Sequence, residues 1–334
     1  MKRPFQTLVL SLVAVFMMIP AVASAEVNRP APADAKWVIH LDIRRAVDNE
    51  FSQLVLEDLR ERGLSDRIAD FSAKTGLDPM RDFHAMTMYG QSYDESDGVA
   101  IMKMVPDTGN LPQIVRMAEG YNSTTHGPYT IHSWMGKKHR TGNAVRKYCG
   151  VYVDRQEVNT YLVFGQKLQK VKDGLDLLGG EAALLAPDGK DVMARTPRAG
   201  SVLFIVARDV HQARPRRPSP VLQQADTMYL DMGESDGDVF MEATLTFPDQ
   251  DKAQNIAMMA QGMLAVGRMQ ANKPERATVA RLANAASIQL DGTAVSMTFE
   301  YGSEALYDEL KALKELKRQR RGGGQLNLED DDPK

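Results

Sequence analysis

One feature constrains the architecture of this chain more than any other: it repeats itself. Thr87-Met88-Tyr89, followed by Glu95-Ser96-Asp97-Gly98, recurs as Thr227-Met228-Tyr229 followed by Glu234-Ser235-Asp236-Gly237. The first blocks lie 140 residues apart and the second 139. Self-similarity at a nearly fixed offset is the mark of one supersecondary unit used more than once. The correspondence continues in order. Val105-Pro106-Asp107 aligns with Phe247-Pro248-Asp249, and Ile114, Met117, Ala118 and Gly120 fall on Ile256, Met259, Ala260 and Gly262. Phe164-Gly165 resembles Tyr301-Gly302.

Hydrophobic periodicity agrees. Trp37, Ile39, Leu41 and Ile43 alternate with Val38, His40 and Asp42, which predicts a strand. Residues 50–75 carry apolar positions among charges and predict amphipathic helices. Strands follow at 84–91 and 99–104, then a helix after Pro106-Asp107 with Asp107 as N-cap and Gly120 as its stop. Strands near 129–134, 148–154 and 160–165 precede a helix at 167–178. The second half predicts a strand at 201–208, a hairpin at 226–247 and a Met-rich helix at 249–270. A short helix at 277–285, a hairpin at 286–301 turning at Asp291-Gly292, and a helix at 303–319 complete it. That last helix aligns Leu306, Leu310, Leu313 and Leu316 on one face.

Strands joined by hairpins cannot make a purely parallel sheet. The expected class is therefore α+β, with two duplicated units, each a largely antiparallel sheet with helices packed on one face. The first unit is placed at 36–185 and the second at 198–320. The composition shift over 179–200 separates them.

The first 25 residues read as a secretory signal peptide. Lys2 and Arg3 form a charged start, Leu8 to Ile19 an apolar run, and Ala23-Ser24-Ala25 a small-residue cleavage pattern. The run is shorter than the ~20 residues of a typical span. Cleavage near Ala25 predicts a secreted or periplasmic protein with no later transmembrane span. It removes two positive charges and takes the formal net charge from −3 to −5. That balance disfavours a nucleic-acid partner. Residues 26–35 read as a Pro/Ala linker and 321–334 as a polar, acidic, disordered tail. The single cysteine, Cys149, excludes an internal disulfide and alternates in phase with Val151 and Val153, as a buried apolar group does.

Candidate chemistry is sparse. His126, His132 and His139 are spaced by six and seven residues, which is not a zinc-ligand spacing. His84, Met86 and Met88 share one strand face and could offer copper soft ligands with Met102 and Met104. The aligned second-half positions, Asp226, Met228, Met241 and Ala243, do not preserve that set, and methionines on such a face serve equally as core filler. Asp94, Glu95 and Asp97, with their counterparts Glu234, Asp236 and Asp238, could offer oxygens to calcium but lack EF-hand spacing. Asp97-Gly98, Asp236-Gly237 and Asp291-Gly292 are read as structural hairpin turns. No cofactor and no metal are expected.

Basic clusters form the other candidates. Lys137, Lys138, Arg140, Arg146 and Lys147 crowd one connection around His139 and could contact an anion or a partner. Arg208, Arg214, Arg216 and Arg217 crowd a second, and 311–321 a third. Nucleophile-elbow, zinc-protease and Walker motifs are absent from the sequence, so no catalytic residue is assigned.

The segments Ala33-Asp34-Ala35-Lys36-Trp37, Trp37 to Asp42, Gly76 to Pro79, Met88-Tyr89-Gly90 and Tyr129 to Trp134 resemble those of a group of uncharacterised secreted bacterial proteins with two related α+β halves. The resemblance covers mainly residues 33–178. It implies a signal peptide and a duplication, and no activity. The expected function is an exported, non-catalytic binding protein of the cell envelope, engaging an envelope protein or polymer in a groove where the two sheets meet or on an adjacent sheet face. The alternatives are an envelope hydrolase with an unrecognised carboxylate or histidine site, and a structural or assembly module.

Overall fold

The structure is a computed structural model. It describes residues 29–61, 63–136, 144–156, 158–185, 191–213, 219–269 and 277–322, with side chains in the last helix described to Glu315. The segment 1–25 read as a signal peptide, the start of the 26–35 segment, and the tail from 323 lie outside the described residues.

The first half begins with β1 (Trp37–Asp42) and the helices α1 (Ile43–Asp48), α2 (Glu50–Glu61) and α3 (Leu64–Thr75). Next come β2 (Phe83–Gly90), β3 (Val99–Met104), α4 (Leu111–Arg116), β4 (Asn122–His126), β5 (Tyr129–Met135), β6 (Arg146–Asp154), β7 (Asn159–Gly165) and α5 (Leu168–Leu178). The second half comprises β8 (Ser201–Arg208), β9 (Thr227–Ser235), β10 (Asp238–Thr246), α6 (Gln250–Arg268), α7 (Ala277–Asn284), β11 (Ala286–Asp291), β12 (Ala294–Gly302) and α8 (Ser303–Gly322).

The twelve strands among the described residues belong to one antiparallel sheet, ordered β11-β12-β10-β9-β8-β1-β2-β3-β7-β6-β5-β4. The two halves meet at β1 and β8, which pair in register from Trp37–Ala207 to Leu41–Leu203. The expected pair of sheets facing a groove is therefore replaced by one continuous ladder. Each half enters with a strand free on one side, and pairing those two free edges satisfies both rows of backbone groups.

Successive strand residues point to opposite faces, so the core divides in two. On the first face Leu41, Met86, Met104 and Leu162 pack with Ile43, Leu56 and Phe71 from α1–α3. On that same face of the second half, Ala253 and Ala257 of α6 meet Ala207, Phe247 and Val295, and Leu306 of α8 meets Val239 and Phe51. On the second face Val38, Tyr89, Ile101 and Val163 pack with Val171 and Leu175 of α5. Helices thus cover both faces of the first half, a correction to the one-face expectation. β3, β6 and β7 are apolar on both sides: Ile101, Leu162 and Val163 are all buried. Burying both sides removes more apolar area from water than burying one.

Local departures have local causes. Asp249 caps α6 as its sequence position predicts, accepting from the Lys252 amide at 2.8 Å. Its counterpart Asp107 instead turns back to the Gly109 amide at 2.8 Å, and α4 starts only at Leu111. Asp236 and Gly237 both have positive φ, 56° and 84°, as a two-residue hairpin turn of matching twist requires. Gly98 does not, because β2 and β3 are joined by a longer loop, 91–98. There Asp97 ties down Ser92 and Lys167, each at 2.5 Å. In α8, Leu306 is buried, Leu313 is half-buried and Leu310 is 43% exposed, while Leu316 lies outside the described side chains. The polar strand β4 carried no alternating apolar signal and was missed.

A polar and aromatic array on the open sheet face

On the second sheet face, register places Phe204 opposite His40 and Asp231, Tyr229 opposite Thr244, and Asp231 opposite Glu242. Phe240 opposes Glu300, and Glu242 opposes Thr298. Among the described residues no helix covers this face beyond β9, because α6, α7 and α8 pack on the other side. The face continues as hydroxyl pairs, Thr244–Ser296 at 3.0 Å and Ser287–Thr298 at 2.7 Å.

Three arginines from irregular segments lie on three rings of this face. Arg29 stacks 4.3 Å from the Phe204 ring centre, Arg195 4.4 Å from Tyr229, and Arg198 4.5 Å from Phe240. A guanidinium over a ring face is drawn by the negative π surface. Arg198 also pairs with Glu300 at 2.5 Å, and Arg195 approaches Glu242 at 4.0 Å. Arg29 is carried by a strap, residues 29–35, that crosses the seam. The strap is held by Leu185 N to Ala31 O at 2.9 Å, Ala33 N to Ala183 O at 3.1 Å, and Arg208 Nη2 to Ala35 O at 2.6 Å.

Asp231 anchors the array. Its carboxylate is fully buried and accepts from the Arg198 amide at 2.6 Å and the Tyr229 hydroxyl at 3.4 Å, with Ser201 donating as well. Burial nonetheless raises its pKa above the ordinary carboxylate value. Burial likewise lowers that of Arg29, and the attraction of Asp231 opposes the shift. Among the described residues, Asp231 Oδ1 and Arg29 Nη1 are both buried without a hydrogen-bond partner. His40, opposite Phe204, is pushed down to about 3 by burial, helped by the positive charges of Arg29 and Arg45. It is therefore a neutral core imidazole bonded to Thr87 Oγ1 at 2.9 Å.

The residues singled out by sequence lie elsewhere. His126 on β4 bonds Asp176 of α5 at 2.6 Å, while His132 on β5 stacks with Tyr121 and bonds its hydroxyl at 3.0 Å. His139, Lys137, Lys138 and Arg140 lie outside the described residues. His84 is half-buried, and burial lowers its pKa first among several causes. Met86 and Met104 are core residues, and Met88 and Met102 pack against the same cluster. Among the described residues no group of three His, Cys, Asp or Glu is arranged to hold a metal. Arg146 donates to Gly120 O at 3.0 Å and Ser133 Oγ at 3.1 Å, and burial lowers the Lys147 pKa. Arg208 pairs with Asp191 and holds the strap, while Arg214, Arg216 and Arg217 lie outside the described residues. Gly292, with φ 56°, turns the β11–β12 hairpin after Asp291.

Sequence reasoning missed Arg29, Arg195, Arg198 and Asp231. Strand parity alone would have placed Tyr229 and Asp231 on one face. The arginines, in irregular segments, carry no periodic signal.

No family model matches the chain, and no curated protein matches it. Solved structures of TP0453 are similar to it. Crystal form III has a TM-score of 0.44 at 10% identity, covering 85% of this chain and 98% of that one. Crystal form I has a TM-score of 0.41 at 10% identity, covering 87% and 98%. Crystal form IV has 0.41 at 12% identity, covering 84% and 96%.

Proposed function

We propose that this chain is an exported, non-catalytic binding protein of the bacterial cell envelope, one of the secreted two-half proteins it resembles. Its binding face is the open sheet surface of the second half. The observation that carries the reading is the array just described. Arg195, Arg198, Glu242 and Glu300 stand at the rim of a flat ladder of Thr and Ser hydroxyls, where a polar, extended partner meets charge and hydrogen-bonding groups together.

Duplication is part of this reading. The repeated Thr-Met-Tyr blocks lie in β2 and β9, each the second strand from the β1–β8 seam. Outward from the seam, β1-β2-β3-β7-β6 parallels β8-β9-β10-β12-β11. In the first half α5 covers the second face, and in the second half α8 lies on the first face instead. Export rests on the pattern of residues 1–25.

A photoreactive residue placed at Thr298, which is exposed, tests the reading in cells of the source bacterium. A crosslinked envelope species lost on Arg195→Ala with Glu242→Ala is the expected result. Absence of any such species, or turnover of an envelope polymer by the purified protein, would sink it.

A further inference from the structure

Arg29 projects from the strap into a slot on the second sheet face. Its guanidinium lies on the Phe204 ring, its Nη2 donates to Arg195 O at 3.0 Å, and Asp231 stands near enough to act on its charge. Phe204 and Asp231 are both fully buried. An aromatic face, a carbonyl oxygen and a buried carboxylate together select a guanidinium. The ring takes the flat face of the group, and the oxygens take its N–H donors. A lysine ammonium has neither the flat face nor the fork of donors.

The strap fills this slot incompletely. Arg29 Nη1 and Asp231 Oδ1 belong to groups of opposite charge, yet both are buried and unpartnered among the described residues. A bidentate guanidinium–carboxylate pair would satisfy both atoms at once. The strap does not deliver its arginine to that geometry, because its backbone is committed just downstream. Ala31 O accepts from Leu185 N, Ala33 N donates to Ala183 O, and Arg208 donates to Ala33 O and Ala35 O. Pro30 and Pro32 restrict the backbone between these bonds and offer no N–H. A charge taken out of water with a donor left over opposes the docked state, so Arg29 is a poorer occupant than the slot admits.

The other two stacked arginines do not share this arrangement. Arg195 and Arg198 face Glu242 and Glu300, whose side chains are 42% and 57% exposed, and water satisfies what those pairs leave over. Only the Arg29 slot has a carboxylate closed off from water.

We propose that the Phe204–Asp231 slot is a recognition site for an arginine side chain on an extended peptide segment, and that the strap fills it in cis as a built-in competitor. A segment free to set its guanidinium bidentate on Asp231 exchanges for Arg29, which then leaves the Phe204 ring. The class of occupant is given by what is seated there, an arginine followed by an extended, proline-containing run with one antiparallel bridge, Pro32 to Leu184. The slot stands apart from the open face, and its chemistry holds whether or not that face binds an envelope partner.

NMR titration of the full mature chain tests this, with N-acetyl-arginine methylamide as the probe and its lysine analogue as the control. The ring of His40, opposite Phe204 and under the influence of the Arg29 charge, reports on the slot. Arg29→Ala empties the slot and leaves the backbone bonds of the strap in place. Saturable binding of the arginine probe to Arg29→Ala is expected, roughly tenfold or more tighter than to wild type, where Arg29 competes. The lysine probe should bind roughly tenfold or more weakly than the arginine probe, and Asp231→Asn added to Arg29→Ala should remove that preference. Arg29→Lys keeps a cation in the slot and provides the same comparison if Arg29→Ala does not fold. Failure of the arginine probe to move the His40 ring in either variant overturns the proposal. Equal affinity for the two probes overturns it as well, and so does equal affinity of wild type and variant, which would place the binding outside the slot.

Discussion

The carboxylate of Glu234 accepts the backbone amide of Phe51 at 3.1 Å, joining residues 183 positions apart. Glu234 belongs to the repeated Glu-Ser-Asp-Gly block and is buried, whereas its counterpart Glu95 is exposed. At this block the carboxylate ties the second-half hairpin to the first turn of α2. Glu234→Ala leaves the Phe51 amide without its acceptor and is expected to destabilise by about 1–3 kcal/mol in urea titration. Glu234→Gln keeps an acceptor and should lose less. Burial raises the Glu234 pKa above 4.5, so the folded state favours the protonated form. That contribution is fully present below pH 4.5 and is lost as pH rises through the folded pKa. Wild type should therefore gain on Glu234→Gln as pH falls toward 4.5. A constant difference across that window would refute the assignment.

His40 has the opposite sign. Its pKa falls from 6.5 to about 3 in the fold, so the unfolded chain takes up a proton that the folded chain refuses. Its contribution is present above pH 6.5 and is lost as pH falls toward 3, at about 1.4 kcal/mol per pH unit. His40→Asn should flatten the acid limb of the stability profile by up to that slope. An NMR titration of His40 with a midpoint near 6.5 in the folded protein would contradict it.

Gly90 has no room for a side chain. A Cβ there would stand 2.6 Å from Trp37 Nε1, whose proton goes to Ser92 O at 2.8 Å. Gly90→Ala must displace the indole and is expected to cost about 1–3 kcal/mol, as overpacking does. Trp37 emission should shift in the folded variant, and an unchanged spectrum with unchanged stability would refute the contact. This explains why glycine follows Met88-Tyr89.

Cys149 is buried, and burial pushes its thiol up to about 12. A thiol held neutral and covered reacts only when the fold opens. Labelling by a disulfide reagent at pH 8 should be negligible in native protein and complete in denaturant. Stoichiometric labelling of the native protein within minutes would place the cysteine at an accessible site.

Much of the element order was legible because it rests on local signals. Alternation in β1, the Pro248-Asp249 cap and the Asp236-Gly237 turn depend on residues within a few positions of each other. The candidate face was not legible. Arg29, Arg195 and Arg198 reach Phe204, Tyr229 and Phe240 from irregular segments, and Arg29 does so across more than half the chain. The histidines and methionines that sequence reading favoured are instead bonded locally or packed into the core.

By itself the sequence determined most of the strands and helices and their order, because periodicity and turn chemistry act over short distances. Only the tertiary structure decided that β1 and β8 close the halves into one sheet, and that α5 and α8 lie on opposite faces. The pairing of two free edges, and the choice of which face a helix covers, depend on groups far apart in the chain. Their energies are set by joint burial, which no local pattern records.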